Sequence, residues 1–349
     1  MHLAELETPV PVVDIDRMEA NIARLQTYLD EHKLANRPHI KTHKIPAIAK
    51  MQMDAGAVGI TCQKISEAEV MAEAGFDDIF LPYNIISESK LKRLMALAAR
   101  IRISVTADSA YTVRGLSDAA QQAGLELPVL VECDMGMHRC GVQSPQEAAE
   151  LAHLIGSLPN LHFGGLMTFP TGEHLDEFVR ETRSQLKDDH LPIERVSAGG
   201  TPNLWQAHTH TELTEYRAGV YVYGDRLSLR SGAMTLDTCA LKIYTTIVSR
   251  PTPERGILDA GSKTFSPDLH NLEGYGYICE YPEAKIYALS EEHGMVDFSA
   301  CARKPEIGER VSVIPNHCCM VTSLFDEFVG ARGNQVEVTW QVSARGTVR

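Results

Sequence analysis

The sequence predicts an α/β protein: a (β/α)8 barrel of the TIM type followed by an all-β domain. Three observations carry that prediction. Short apolar runs alternate with amphipathic helical stretches eight times, which implies parallel strands, and eight repeats close into a barrel more readily than they form an open sheet. From about Leu236 the helical period stops, and β-branched alternating runs separated by Pro and Gly take over. The 349 residues, 44% hydrophobic and 23% charged, have the composition of a soluble globular chain long enough for a large core and two domains.

The barrel strands are predicted at Pro38 to Thr42, Gly59 to Gln63, Asp78 to Tyr83, Ile101 to Ala107, Pro128 to Cys133, Leu161 to Phe169, Arg195 to Ala198 and Tyr216 to Tyr223. Helices fall between them at Pro46 to Ala55, Ser66 to Ala74, Ser89 to Ala99 and Ser144 to Leu158, with Ser66 and Ser144 placed as N-caps. Thr171 to His190 reads as a long charged helix, and another spans Arg17 to His32. The second domain is predicted from strands at Ala240 to Ser249, Gly256 to Asp259, Glu283 to Leu289, Arg310 to Ile314 and Gln335 to Gln341. The barrel is expected over residues 10–232 and the β domain over 233–349 together with 1–9. The strand-like Thr8 to Asp14 joins one or the other.

A formal net charge of −13 argues against a polyanion-binding surface, so nucleic acid is excluded as a partner. No segment approaches the roughly 18 apolar residues that span a bilayer, and the first residues have neither a basic region nor an apolar core. A cytoplasmic location is expected. The eight cysteines lack paired spacing and read as reduced thiols.

Chemistry concentrates first in Arg37-Pro-His-Ile-Lys-Thr-His-Lys44, where a lysine ends a short apolar run among other cationic groups. Neighbouring cations and partial burial both disfavour an ammonium, and the free amine condenses with carbonyls, which makes Lys41 the candidate Schiff-base lysine. The alternative is a solvated turn. In a barrel, residues just past each strand converge on one mouth, here Lys41, Gln63, Asn84, Asp108, Asp134, Thr168, Gly199-Gly200-Thr201 and Gly224-Asp225. A Gly-Gly-Thr turn facing a reactive lysine suits a phosphorylated aldehyde cofactor, because small residues let backbone N–H groups approach phosphate oxygens. Arg139, in a glycine-punctuated loop after the fifth strand, is a candidate donor to a cofactor ring nitrogen if buried; the alternative is an ion pair with Asp134. Imidazole and thiolate two residues apart at His317 and Cys319, on a segment read as extended, suit a borderline-soft divalent metal such as zinc. A purely structural His and Cys pair is the other reading.

Taken together these residues resemble the pyridoxal-phosphate enzymes of the alanine-racemase-like fold (fold type III), within them the D-threonine aldolase and D-serine dehydratase group. The resemblance covers nearly the whole chain. It is carried by Arg37 to Lys44, Thr61-Cys-Gln-Lys-Ile-Ser-Glu-Ala68, Met135-Gly-Met-His-Arg-Cys-Gly-Val142, Ser197-Ala-Gly-Gly-Thr-Pro202, Arg217-Ala-Gly-Val-Tyr-Val-Tyr-Gly-Asp225, Asp259-Ala-Gly261, Glu291-Glu-His-Gly294 and Pro315-Asn-His-Cys-Cys319. It implies Lys41 as the cofactor lysine, Arg139 at the pyridine nitrogen, and Gln63, Gly199, Gly200, Thr201, Gly219, Val220 and Tyr221 around the cofactor. It implies a zinc, manganese or magnesium ion at His317 and Cys319 that binds the substrate 3-hydroxyl, and a homodimer.

The function implied is a metal-assisted lyase on D-3-hydroxy amino acids, yielding glycine and an aldehyde. The alternatives are a D-serine or D-3-hydroxyaspartate dehydratase yielding a 2-oxo acid and ammonia, an amino-acid racemase, and a non-catalytic pyridoxal-phosphate-binding protein. The Cys62-Gln-Lys run and the Ser343 to Arg349 ending look like the aldolase branch, whereas His-x-Cys looks like the dehydratases. Related enzymes carry a histidine near Pro170 that is absent here, which leaves His174, His293 or a metal-bound water as the base. Tyr83, Asn84, Lys263 and Asp268 are polar candidates around the substrate, and His208 and His210 read as exposed loop.

Overall fold

The computed structural model describes residues 1–187 and 190–349, and the chain divides into two compact units. One comprises Leu25–Lys41, Ile48–Gly219 and Thr347–Arg349, the other Met1–Arg24, Thr42–Ala47 and Val220–Gly346.

The first unit holds eight parallel strands, in ring order Ala35–Asn36, Glu215–Tyr216, Arg195–Ala198, Leu161–Thr168, Leu127–Cys133, Arg102–Ala107, Asp78–Asn84 and Ile60–Thr61. The ring closes where Val58 N–H donates to Asn36 O and Thr61 N–H to Pro38 O, both at 2.9 Å. Apolar side chains at matching depth fill the interior, with Phe80, Leu130 and Met167 forming one buried cluster from three strands. Gly165 has φ +121°, and a Cβ there would meet Arg195 O at 2.0 Å, so only glycine fits at this approach of two strands.

Six of the eight predicted strands lie where expected. The first sits earlier, at Ala35–Asn36, with only the His39–Thr61 bridge inside the predicted run, and the last is limited to Glu215–Tyr216. In both places the chain leaves the sheet for a 3-10 turn, Ile40–Thr42 and Val220–Val222, whose i to i+3 geometry takes up the backbone groups. Ser144 caps its helix, accepting from Glu147 N–H at 3.2 Å. Ser66 does not: Lys64 occupies the cap position, and Glu67 accepts from the Gln63 and Lys64 N–H groups. The charged helix is found as Leu175–Gln185; positions 188 and 189 of the predicted span lie outside the described residues.

At the end where the strands begin, charges replace apolar packing around a cavity of about 550 Å³ lined by Arg37, Asp78, Arg102, Glu126 and Arg195, among others. Arg37 Nε donates to Glu215 Oε2 at 2.7 Å and its Nη1 to Asp78 Oδ1 at 2.5 Å. Ser197 Oγ donates to Glu215 Oε1 at 2.6 Å, and Arg195 Nη1 lies 3.5 Å from Oε2. Arg37 thus serves this network rather than the surroundings of Lys41. Burial raises the Glu215 carboxyl, but Arg37 and Arg195 outweigh it and hold it below its ordinary value. Glu215→Gln leaves the buried Arg37 and the half-buried Arg195 short of countercharge and is expected to cost about 3 kcal/mol, read as a lower urea midpoint with unchanged slope. An unchanged midpoint would show the network to be expendable.

The second unit is a nine-stranded sheet whose main path runs Lys285–Leu289, Gly294–Asp297, Arg255–Leu258, Leu241–Ser249, Val10–Asp14, Glu327–Arg332 and Gln335–Gln341, with Arg310–Pro315 also pairing Leu241–Ser249 and Gly276–Ile278 in turn. The Val10–Asp14 strand therefore belongs to this sheet, Val12 lying antiparallel to Lys242 and parallel to Val329. Leu3, Val12, Val329 and Ala331 form a core cluster beneath it. Among the described residues no helix is long and apolar enough to cross a membrane.

Candidate active site

Lys41 lies in the 3-10 turn after the first strand, with its Nζ 5.8 Å from the centre of the Phe169 ring. Arg139 faces the same ring at 5.2 Å. Just ahead of Lys41 sits His39, buried, a residue that no sequence signal singles out. Its Nδ1 accepts from the Lys41 backbone N–H at 3.4 Å and its Nε2 pairs with Gln63 Oε1 at 3.0 Å, so the Nε2–H tautomer satisfies both partners. Burial first, then the Lys41 and Arg217 cations, push this imidazole well below its ordinary value and keep it neutral.

The buried guanidinium at this end of the barrel is Arg217. It donates from Nε to Ser197 Oγ at 2.8 Å and from Nη2 to Thr168 O at 2.7 Å, and it lies over the Phe80 ring at 5.6 Å. Burial lowers it to about 10. Arg139, predicted as the buried candidate, is 48% exposed, and its neighbouring carboxylate is Glu132 at 3.8 Å rather than Asp134. Asp134 is occupied otherwise, its Oδ1 accepting from the N–H groups of Gly136, Met137 and His138. A carboxylate within the apolar Leu127–Cys133 strand is the sequence signal available for Glu132. Burial raises that carboxyl, and Cys140 Sγ–H donates to it at 3.0 Å.

Gly199, Gly200 and Thr201 follow the Arg195–Ala198 strand. A Cβ on Gly199 would strike Arg217 O at 2.6 Å, whereas one on Gly200, at φ +123°, would meet nothing nearer than Phe169 Cε2 at 3.6 Å. The hydroxyls of Thr168 and Thr201 are buried without a hydrogen-bond partner among the described residues. Free hydroxyl donors beside an open glycine fit a phosphate ester. Gly219 is half-buried, and Val220 and Tyr221 open the following 3-10 turn, Tyr221 fully buried.

In the other unit His317 is the N-cap residue of the helix Cys318–Leu324, so the metal-type pair lies on a strand-to-helix turn and not on an extended segment. Cys319 sits in the first helical turn, its Sγ 3.6 Å from Thr42 Oγ1. Ligand atoms of His317, Cys318 and Cys319 lie within 4.8 Å of one another. A nitrogen and sulfur donor set of this kind fits zinc. His317 Nδ1 donates to Asp225 Oδ2 at 2.8 Å. Burial works against a charged ring, but Cys319 and Asp225 lift His317 to about 10.

Of the remaining candidates, His174 and His293 are exposed, and the His174 ring lies 3.8 Å from Glu177. Lys263 pairs with Glu291 at 3.2 Å and Glu292 at 2.6 Å on the surface. Tyr83 lies under the Lys64 ammonium at 3.9 Å, and Asn84 Oδ1 accepts from Asp108 N–H. Asp268 Oδ2 accepts from Ser266 Oγ. His208 is bonded to Tyr28, and its ring stacks on His32 at 4.4 Å.

The chain matches the family model for the alanine racemase N-terminal domain over residues 13–227 and that for a putative serine dehydratase domain over 240–331. A D-threonine aldolase of Arthrobacter sp is 33% identical over 99% of this chain and 95% of its own length. The crystal structure of a D-threonine aldolase from Filomicrobium marinum is similar at TM-score 0.92 and 30% identity, covering 99% of this chain and 98% of that one. D-threo-3-hydroxyaspartate dehydratase from Delftia sp. HT23 follows at TM-score 0.87 and 28% identity, covering 97% and 98%. A mutant of such a dehydratase, solved in a metal-free form, gives TM-score 0.88.

Proposed function

The chain belongs to the alanine racemase N-terminal domain family and is a pyridoxal-phosphate-dependent lyase, and we propose that it cleaves D-configured 3-hydroxy amino acids into glycine and an aldehyde. The whole-chain likeness to a D-threonine aldolase is the observation that carries the aldolase reading.

Pyridoxal phosphate, when bound, supplies a carbonyl for amines and an electron sink for the bond to be broken. Lys41 is the residue assigned to hold it. The unpartnered Thr201 and Thr168 hydroxyls, with backbone N–H groups of the Gly199-Gly200 turn, are assigned to its phosphate. An arginine at the ring nitrogen keeps that nitrogen unprotonated; Arg139 shares the Phe169 ring with Lys41, while Arg217 has the burial that such a bond demands. Both nitrogens of His39 are committed to hydrogen bonds, so His39 orients the turn and does not serve as the base.

His317 and Cys319 would hold a divalent metal, zinc by donor type, which when bound would supply Lewis acidity toward the substrate 3-hydroxyl. The same polarisation would equally suit that hydroxyl to leave, and the thiol at Cys319 together with the likeness to a 3-hydroxyaspartate dehydratase favours dehydration as the second reading. A homodimer is proposed as the working unit, on the family resemblance.

Mass spectrometry of products, after incubating purified protein with pyridoxal phosphate, zinc and a panel of D-3-hydroxy amino acids, separates the two. Glycine plus an aldehyde is the expected outcome. A 2-oxo acid plus ammonia assigns the dehydratase, and the enantiomeric amino acid alone sinks both.

A further inference from the structure

The fully buried carboxylate of Asp225 joins two helix N-termini that are far apart in sequence. Its Oδ1 accepts from Ser228 N–H at 2.8 Å and caps the short helix Arg226–Arg230. Its Oδ2 accepts from His317 Nδ1 at 2.8 Å and from the Cys318 N–H at 3.2 Å. His317 occupies the cap position of Cys318–Leu324 but makes no side-chain cap bond of its own, so Asp225 supplies the cap oxygen from another element. The next residue grips the same segment: Arg226 Nη1 donates to Asn316 Oδ1 at 2.7 Å and to Gly274 O at 3.0 Å. Asp225-Arg226 therefore holds Asn316, His317 and Cys318 in succession.

A carboxylate can only accept from Nδ1, so Nδ1 keeps its proton and Nε2 is the nitrogen that would give up its own proton to a metal ion and offer the lone pair. We propose that Asp225 is a positioning residue for the metal centre, presetting the His317 ring and the Cys318–Leu324 helix start so that Nε2 and the Cys319 sulfur are offered together. The proposal rests on the metal reading of His317 and Cys319.

The test is zinc affinity of metal-free wild type, Asp225→Asn and His317→Ala, measured by competition with a chromophoric chelator, with the melting temperature of each metal-free protein recorded alongside. Asp225→Asn keeps an oxygen for the Ser228 N–H but turns an NH2 toward His317 Nδ1 and the Cys318 N–H, so it no longer dictates the tautomer. It is expected to bind zinc about 10- to 100-fold more weakly than wild type. A lowered melting temperature with unchanged zinc affinity would reduce Asp225 to a structural cap and overturn the proposal. Wild type binding zinc no better than His317→Ala removes the metal centre itself, an outcome separate from the previous one. Should the variant fail to fold, 15N spectra of histidine-labelled, zinc-loaded wild type decide: a proton on His317 Nδ1 supports the assignment, and metal on Nδ1 overturns it.

Discussion

Lys41→Ala protein is expected to fold, to stay colourless when mixed with pyridoxal phosphate, and to lose turnover by a factor on the order of 10⁴ or more, the scale at which a covalent-catalysis residue is removed. The fold should survive because the contact that fixes the turn, Lys41 N–H to His39 Nδ1, uses the backbone and is kept by alanine. The His39 to Gln63 bond is likewise untouched. What disappears is the amine facing the Phe169 ring. Absorbance spectra of the mixed and dialysed variant read the cofactor, and product assays read the turnover. A variant that kept both colour and activity would move the nucleophile elsewhere in the barrel.

Chelation is the second large effect. If His317 and Cys319 hold a metal that acts on the 3-hydroxyl, metal-free wild type should fall by roughly 10³-fold, since charge stabilisation by a bound ion supplies several kcal/mol. Added zinc should restore it. His317→Ala should show the same loss and no recovery. In that variant Asp225 keeps the Ser228 and Cys318 N–H bonds, so the helix start is retained while the donor is lost. The visible colour conferred by Lys41 is expected to persist throughout, which separates metal loss from cofactor loss. Turnover that ignored chelation would point to racemisation, a reaction with no need of a metal at the hydroxyl.

The barrel is legible in the sequence because each repeat is a local pattern. Arg195–Ala198 and Gln335–Gln341 have the same bounds in the pattern and in the structure. The strands at either side of the seam, near residues 35 and 215, are displaced from their predicted places because apolar residues there continue into 3-10 turns, and composition does not distinguish a buried strand from a buried turn. Gly276–Ile278 and Gly294–Asp297, of three and four residues, are too short to register as strands. Glu327–Arg332 gives no clear signal either, since its glycine and flanking charges break the alternation.

Candidate site residues divide in the same way. Lys41, Thr201, His317 and Cys319 are proposed from residue type and spacing alone. The partners that hold them in place are not: Asp225 reaches His317 across 92 positions, and Arg217 reaches the Thr168 carbonyl across 49. The helix Cys318–Leu324 is silent in the sequence because its cap lies on that distant residue and no local Ser, Thr or Asp signals it.

At its seam the ring is sealed by Asn36, Pro38 and Thr61, and the first two of these lead directly along the chain into Lys41. Where the Leu127–Cys133 and Leu161–Thr168 strands are zipped along their whole length, this junction rests on short pairings. The joint of the cylinder and the mount of its amine are one piece of chain, so any opening of that junction would displace Lys41 directly, while the central staves keep their pairing.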